Sequence, residues 1–524
     1  MQSNNNMAAL KKRKPKKKDG QIFTPSELVG IILDEVGYND TLCDLYLYDI
    51  IDNSCGDGAF LTEIVRRIVK SAQANGLSNE DIIKTLEKKI HGIELDKELC
   101  ERCVKNLNDV VSSLIPNNGE IKWDILNSDA LPVHDYDGKM DFVVGNPPYV
   151  RVHNLGEELK VLRDNELTKK GNTDLYISFY ELGLRMLKPT GTLGYVTPNS
   201  WLTSFSGQEL RKRILEDRML KTIIDFGHYQ WFDGVCVYST VAVLCKNTDS
   251  CHYFSWEQVQ DGKYWMYPVD KFDNAAPEYN INGKFYFGTK EQLNTLREIK
   301  TSTVEPYFKV KNGIATLADE IFINHQFGDK FGSPFFRPIV KASSNDACYC
   351  IYPYDKDGKA YSLDEIKEND ILLYYYLMAN KERLEKRTTQ KGSNWYEYGR
   401  SQGIKDTEKS KVSVNVLVRD TDSVKALTLM NEPCCVYSGL YIIANEEPLR
   451  YWGNTILHHA YRMLKDNAFI EYVKMLHKYK SGGYYTFSSK DLEEYLNYTF
   501  ETKELEKYQH LKEHFNKAKS KDNG

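Results

Sequence analysis

Asp52-Asn53-Ser54-Cys55-Gly56-Asp57-Gly58-Ala59-Phe60 follows a strand-like apolar run, Leu45 to Ile51, and opens a helical pattern over Phe60 to Ser71. Glycines in such a turn let the chain bend sharply and bring its backbone close to a ligand. A Gly-x-Gly turn alone is weak, since many strand-to-helix turns need one for shape. The dinucleotide fingerprint would place a third glycine at Leu61, and the triphosphate loop would end in Gly-Lys-Ser/Thr. Neither pattern is met, so something other than a pyrophosphate is expected here. Outward from the turn, a strand pattern over Lys89 to Glu94 and a helix pattern over Glu98 to Leu107 complete a βαβ rhythm. Further strand-like runs stand at Met140 to Val144, Thr192 to Thr197, Leu220 to Phe226 and Tyr238 to Cys245, with an amphipathic helix over Leu175 to Leu187. A twisted, mostly parallel sheet is the economical reading. After Asn247 the rhythm breaks into Tyr-rich sequence with Gly and Asn turns, so a second domain is expected to begin between residues 250 and 300.

The chain has 524 residues, enough for two large domains. No apolar run reaches the length of a membrane span, and the polar, then Lys-rich, start reads as no secretory signal. Eleven scattered cysteines suit a reducing compartment rather than a disulfide scaffold. A cytoplasmic protein is expected, with no membrane partner and no metal: Cys100 and Cys103 make a single CxxC that helix packing explains. With 69 Lys and Arg against 74 Asp and Glu, the net charge of −5 excludes a generally basic nucleic-acid binder. Local concentrations remain. Lys11 to Lys18 reads as a disordered basic arm or a plain solvated tail, and Lys381 to Lys411 interleaves cations with Trp395, Tyr396 and Tyr398.

Three carboxylates fall where successive strands should end. Asp52 closes the first, Glu94 closes the second and could accept both hydroxyls of a ribose, and Asp129 follows the third and could accept from an adenine amine. Each alone is most simply a cap or turn residue; the series implies a nucleoside. The strand Asp141 to Val144 then runs into Gly145-Asn146-Pro147-Pro148-Tyr149. Two prolines preset the backbone, so the Asn146 side-chain oxygen and the Pro147 carbonyl can both accept from one planar amine, while Tyr149 offers a flat face to the ring that carries it. A Pro-rich turn would explain the prolines but not this whole combination.

The ordered set Gly20-Gln21-Ile22-Phe23-Thr24-Pro25, Asp52 to Phe60, Glu94, Asp129, Asn146 to Tyr149 and Asp174-Leu175-Tyr176-Ile177-Ser178-Phe179 resembles the gamma-class, TaqI-like DNA adenine methyltransferases of restriction-modification systems. The resemblance implies S-adenosylmethionine as cofactor, with Thr24, Asp52 and Ser54 near its methionine part, Glu94 on its ribose, Asp129 and Phe179 around its adenine, and Gly56 also among the cofactor-binding residues. It implies that Asn146, Pro147, Pro148 and Tyr149 form the catalytic segment acting on the N6 amine of a flipped adenine. Phe232 would be the second stacking aromatic, with Trp231 a rival. Asn53 departs from the family's usual Pro. Weaker likenesses at Val310 to Thr316, Asn394 to Gly403 and Val436 to Gly439 imply a specificity domain in the second half. There Lys391, Trp395, Tyr396, Arg400 and Gln402 are the candidate DNA contacts; core packing competes for the two aromatics.

The expected class is therefore α/β: a Rossmann-like methyltransferase domain over 20–270, after an arm over 1–19, and a mixed α+β target-recognition domain over 271–524. Double-stranded DNA is the expected partner, with a separate cognate restriction endonuclease as a further one. The acidic and lysine positions around Asp355, Glu365 and Lys367 mimic a nuclease site but fall on a helix pattern, and no nuclease-sized segment precedes Gly20. A methyltransferase acting on RNA or a protein glutamine amide, and a non-catalytic specificity module, are the rival functions.

Overall fold

The computed structural model describes residues 23–39, 41, 44–116, 119–150, 166–168, 174–232, 234, 236–259, 262–330 and 333–505. The basic arm and Gly20 to Ile22 lie outside these residues. Among them, nine strands form one sheet: β1 (Ile50–Asp52), β2 (Ile90–Glu94), β3 (Asp124–Asn127), β4 (Met140–Gly145), β5 (Leu187–Pro198), β6 (Leu220–Asp225), β7 (Ser239–Cys245), β8 (Ser250–Gln258) and β9 (Tyr264–Asp273). Their order is β3-β2-β1-β4-β5-β7-β6-β8-β9. The first five are parallel, β7 enters antiparallel between β5 and β6, and β9 is antiparallel to β8. Helices α1 (Ser26–Val36), α2 (Ala59–Ala74), α3 (Asn79–Lys89), α4 (Lys97–Leu114), α5 (Leu175–Met186) and α6 (Gln208–Glu216) accompany the sheet.

Local chemistry explains the boundaries. Ser78 and Asp96 cap α3 and α4 by accepting from Asp81 and from Glu98 and Leu99. β1 is shorter than its apolar run suggests: Leu45–Leu47 forms a 3₁₀ turn, and Asp49, held by Lys89 and Lys188, starts the strand at Ile50. The core of this unit joins Leu28, Ile32 and Val36 of α1, Phe60 to Val69 of α2, Leu107 of α4 and the buried strand residues Ile50, Val144 and Val243. Glycine makes one close approach possible: a Cβ on Gly194 of β5 would sit 2.3 Å from Val36 Cγ1.

Two expectations change. The stretch after Asn247 is not irregular; it supplies β8 and β9, whose alternation is obscured because they lie at the sheet margin and leave Trp265 and Tyr267 exposed. The described residues part into two units between Thr289 and Lys290, inside the expected window of 250 to 300 and later than residue 270. The intervening residues stay with the sheet because Tyr279 packs on Phe272, Phe285 and Phe287, and Gly283 accepts from Arg211 at 2.7 Å.

The second unit is α+β. One four-stranded antiparallel sheet joins Phe308–Asn312, Leu440–Ala444, Lys411–Val414 and Ala426–Leu429; another joins Ile323–Asn324, Asp346–Ile351, Phe336–Lys341 and Cys435–Tyr437. Helices Thr455–Leu464, Asn467–Met475 and Ser489–Thr499 complete it. Leu363–Asn369 and Ile371–Ala379 are helical, as the sequence suggested for the nuclease-like stretch. No helix among the described residues is long and apolar enough to cross a membrane.

Candidate active site

β1 lies between β2 and β4, so the loops leaving β1 and β4 diverge above it and open a crevice at the carboxyl edge of the sheet. Asp52 ends β1 opposite Val144, Glu94 ends β2 opposite Asn127, and Asp129 follows β3 by two residues. Asn146 follows β4. The four positions span three inter-strand steps, about 14 Å, a fit to a nucleoside carrying an amino-acid tail.

The Gly-rich turn is held by its neighbours. Cys55 N–H donates to the Ile93 carbonyl at 3.0 Å, Gly56 N–H donates to Glu94 Oε2 at 2.9 Å, and Asp96 N–H donates to Glu94 Oε1 at 2.8 Å. Each Glu94 oxygen thus keeps lone-pair capacity for a hydroxyl donor. Gly58, at φ +91°, approaches Cys103 so closely that a Cβ would lie 2.9 Å from its sulfur. Asp129 Oδ1 accepts from Leu131 N–H at 3.1 Å.

Asp52 is buried, and its Oδ1 accepts from Ser54 N–H at 3.0 Å. Burial, opposed by that N–H and reinforced by the Glu94 carboxylate, pushes its carboxyl up to about 7. A buried acid in this state favours a cationic neighbour. Ser54 Oγ beside it has no hydrogen-bond partner. Gly145 must lack a side chain, because a Cβ there would sit 2.8 Å from Asp52 Oδ1.

The Asn146 amide is anchored at one end only. Its Nδ2 donates to Thr24 Oγ1 at 3.2 Å, while its buried Oδ1 has no partner. Pro147 is buried and Pro148 half-buried. The Tyr149 hydroxyl donates to the Val196 carbonyl at 3.1 Å, and burial holds its phenol well above its ordinary range. Its ring meets Phe232 edge-on at 6.2 Å and Tyr176 at 6.4 Å. Trp231 instead packs with Phe226, Tyr229 and Trp256. The structure therefore brings Phe232, not Trp231, to Tyr149.

Phe179 is buried on α5, and its carbonyl accepts from the Tyr195 hydroxyl at 3.3 Å. The same hydroxyl accepts from Asn53 Nδ2 at 2.6 Å. This strut from the Gly-rich turn to α5 was missed from sequence; a polar residue where the likeness leads one to expect Pro was its signal.

In the second unit the three weaker signatures converge. Gly313 N–H donates to the Gly439 carbonyl at 3.0 Å, Ile314 N–H to the Val436 carbonyl at 2.7 Å, and Arg400 N–H to the Ala315 carbonyl at 3.1 Å. Gln402 Nε2 donates to the Gly313 carbonyl at 2.6 Å. Lys391, Arg400 and Gln402 are exposed and Trp395 is half-buried beneath Lys381. Tyr396 corrects the expectation of a DNA contact: it is 6% exposed, its hydroxyl donates to the Tyr361 carbonyl, and it packs the core. Arg387, outside the candidate set, clamps this loop through the carbonyls of Trp395 and Glu397.

Residues 46–232 match the family described as Eco57I restriction-modification methylase. The type II methyltransferase M.BstVI of Geobacillus stearothermophilus is 27% identical over 418 residues, 72% of this chain and 73% of its own length. The type II restriction enzyme and methyltransferase RM.Eco57I of Escherichia coli is 27% identical over 362 residues; the match takes in 58% of this chain and only 35% of that protein. The type IIL restriction-modification enzyme MmeI, solved with DNA, shares the fold at a TM-score of 0.61 and 16% identity, covering 88% of this chain and 65% of that one. The segment from the Leu45 to Ile51 run through Phe232 is thus similar to the Eco57I restriction-modification methylases.

Proposed function

We propose that this chain is a DNA methyltransferase of a restriction-modification system that methylates the N6 amine of adenine, with S-adenosylmethionine as methyl donor. The supporting observation is the buried, partnerless Oδ1 of Asn146 at the end of β4, two residues past the level of Asp52. Asp52, Ser54 and Gly56 suit the amino-acid end of the donor, Glu94 its ribose, and Asp129 with Phe179 its adenine. When bound, the donor supplies an electrophilic methyl on a sulfonium sulfur.

The remaining chemistry belongs to the protein. Asn146 Oδ1 and the Pro147 carbonyl accept from the two hydrogens of an exocyclic amine, which draws its nitrogen out of conjugation and frees the lone pair. The amine nitrogen attacks directly and sheds its proton afterwards, so no cysteine nucleophile is required. An adenine inside a duplex cannot reach this segment, so the base is flipped, at a cost of about a few kcal/mol. Stacking worth about 1 to 3 kcal/mol per base offsets it, and Tyr149 with Phe232 supplies the rings. Tyr149 and Phe232 meet edge-on at 6.2 Å, so a base stacked between them requires the rings to part.

Incubation with methyl-tritiated S-adenosylmethionine and DNA, RNA or protein tests the proposal. Label on N6 of adenine in duplex DNA is expected; label on RNA or a glutamine amide alone, or on none, would overturn it.

A further inference from the structure

Resting on the proposed methylation, we infer that Thr24 is a positioning residue for the catalytic amide: its hydroxyl fixes the orientation of Asn146 so that Oδ1, not the NH2 group, faces the incoming amine. A primary amide is nearly symmetric in shape, and flipping it exchanges an acceptor for a donor. A flipped Asn146 would present N–H groups to the N–H groups of adenine, and the site would repel its substrate. The sequence of Asn146 to Tyr149 does not itself choose between the two orientations. The choice is made by the neighbour at the other end of the amide, and that neighbour is Thr24 Oγ1 at 3.2 Å from Nδ2.

Thr24 is held by the start of α1: it adjoins the N-cap Pro25, and the first turn closes with Val29 N–H donating to the Pro25 carbonyl at 3.1 Å. α1 in turn seats Ile32 and Val36 against the bare backbone of Gly194 on β5, the strand beside β4. Helix, glycine and strand thus hold one hydroxyl at a fixed height beside the end of β4.

The test separates positioning of the amide from binding of the donor. In Thr24→Val, which keeps the shape and removes the acceptor, the single-turnover methylation rate at saturating donor should fall at least about tenfold. S-adenosylhomocysteine affinity by calorimetry should stay within about threefold of wild type. Extrusion of 2-aminopurine, which lacks the 6-amine, should be unchanged, and Thr24→Ser should recover most of the rate. Full single-turnover rate in Thr24→Val, or a loss confined to S-adenosylhomocysteine affinity, would overturn the inference. If the wild-type protein methylates no DNA, the proposed function fails separately. The inference is then decided by a neutron crystal structure of Thr24→Val, which locates the amide hydrogens, where an Asn146 amide unmoved from its present orientation would overturn it.

Discussion

Two side chains at the strand ends carry distinct consequences. Asn146 provides one preorganised acceptor, so Asn146→Ala should lower the methylation rate about a hundredfold or more while S-adenosylhomocysteine still binds, as single-turnover kinetics and calorimetry would show. Asp52 is held up to about 7, above its ordinary carboxylate value, so the unliganded protein retains a proton there near neutrality. The sign follows: this raised value favours the folded state at acid pH, and the contribution is lost as pH rises towards 7. A cationic amine arriving beside Asp52 favours the ionised form and expels the proton. Donor affinity should therefore increase from about pH 6 to about pH 8, and Asp52→Asn should bind more weakly with a flatter profile. Calorimetry in buffers of different ionisation heat would count the released proton. The Asp52, Glu94 and Asp129 series was legible in sequence because strand ends fix where such residues fall. The bond from Asn146 to Thr24 was not, because it joins residues 122 positions apart.

Among elements, the aromatic segment Tyr229 to Phe232 divides its labour. Trp231 faces Phe226 and Trp256, whereas Phe232 faces Tyr149. Trp231→Ala should cost about 3 to 5 kcal/mol in urea unfolding. Phe232→Leu should cost far less, yet hold an extruded 2-aminopurine poorly, seen as a smaller fluorescence rise. Equal losses of stability would contradict this division. The strands and helices of the first unit could be read from periodicity where both faces are covered, as in β4 and β7. Periodicity failed for β8 and β9, because half-solvated margins tolerate aromatic and polar residues on either face. It also failed for α3, whose apolar stripe is short, with Ile82 and Leu86 buried.

Over the whole molecule, acid should act on Asp52 and on Asp406 in opposite senses. In the second unit, burial raises Asp406, but hydrogen bonds from Lys311, Lys409 and Tyr441 outweigh it and hold its carboxyl at about 2. Its contribution to stability is present above the ordinary carboxylate range and is lost as pH falls from about 4 towards 2. Unfolding followed at several pH values should show that loss, and Asp406→Asn should remove part of it, the remainder coming from Asp491, which Lys300 and Lys478 hold low against its burial. DNA binding divides differently. Deleting residues 1–18, with the Lys-rich run, should weaken all duplexes alike and flatten the salt dependence, whereas Arg400→Ala should relax target choice. Equal effects of both changes on cognate and random duplexes would sink that assignment. The three signatures of the second unit were visible in sequence as separate likenesses; that they form one meeting point was not, because it is built from main-chain pairing between distant segments. Those bonds use main-chain groups that every amino acid except proline possesses, apart from the bare backbone required at Gly313 and Gly439. The seam therefore constrains few side chains, so the exposed residues it displays can be exchanged while the pairing that holds them stays the same.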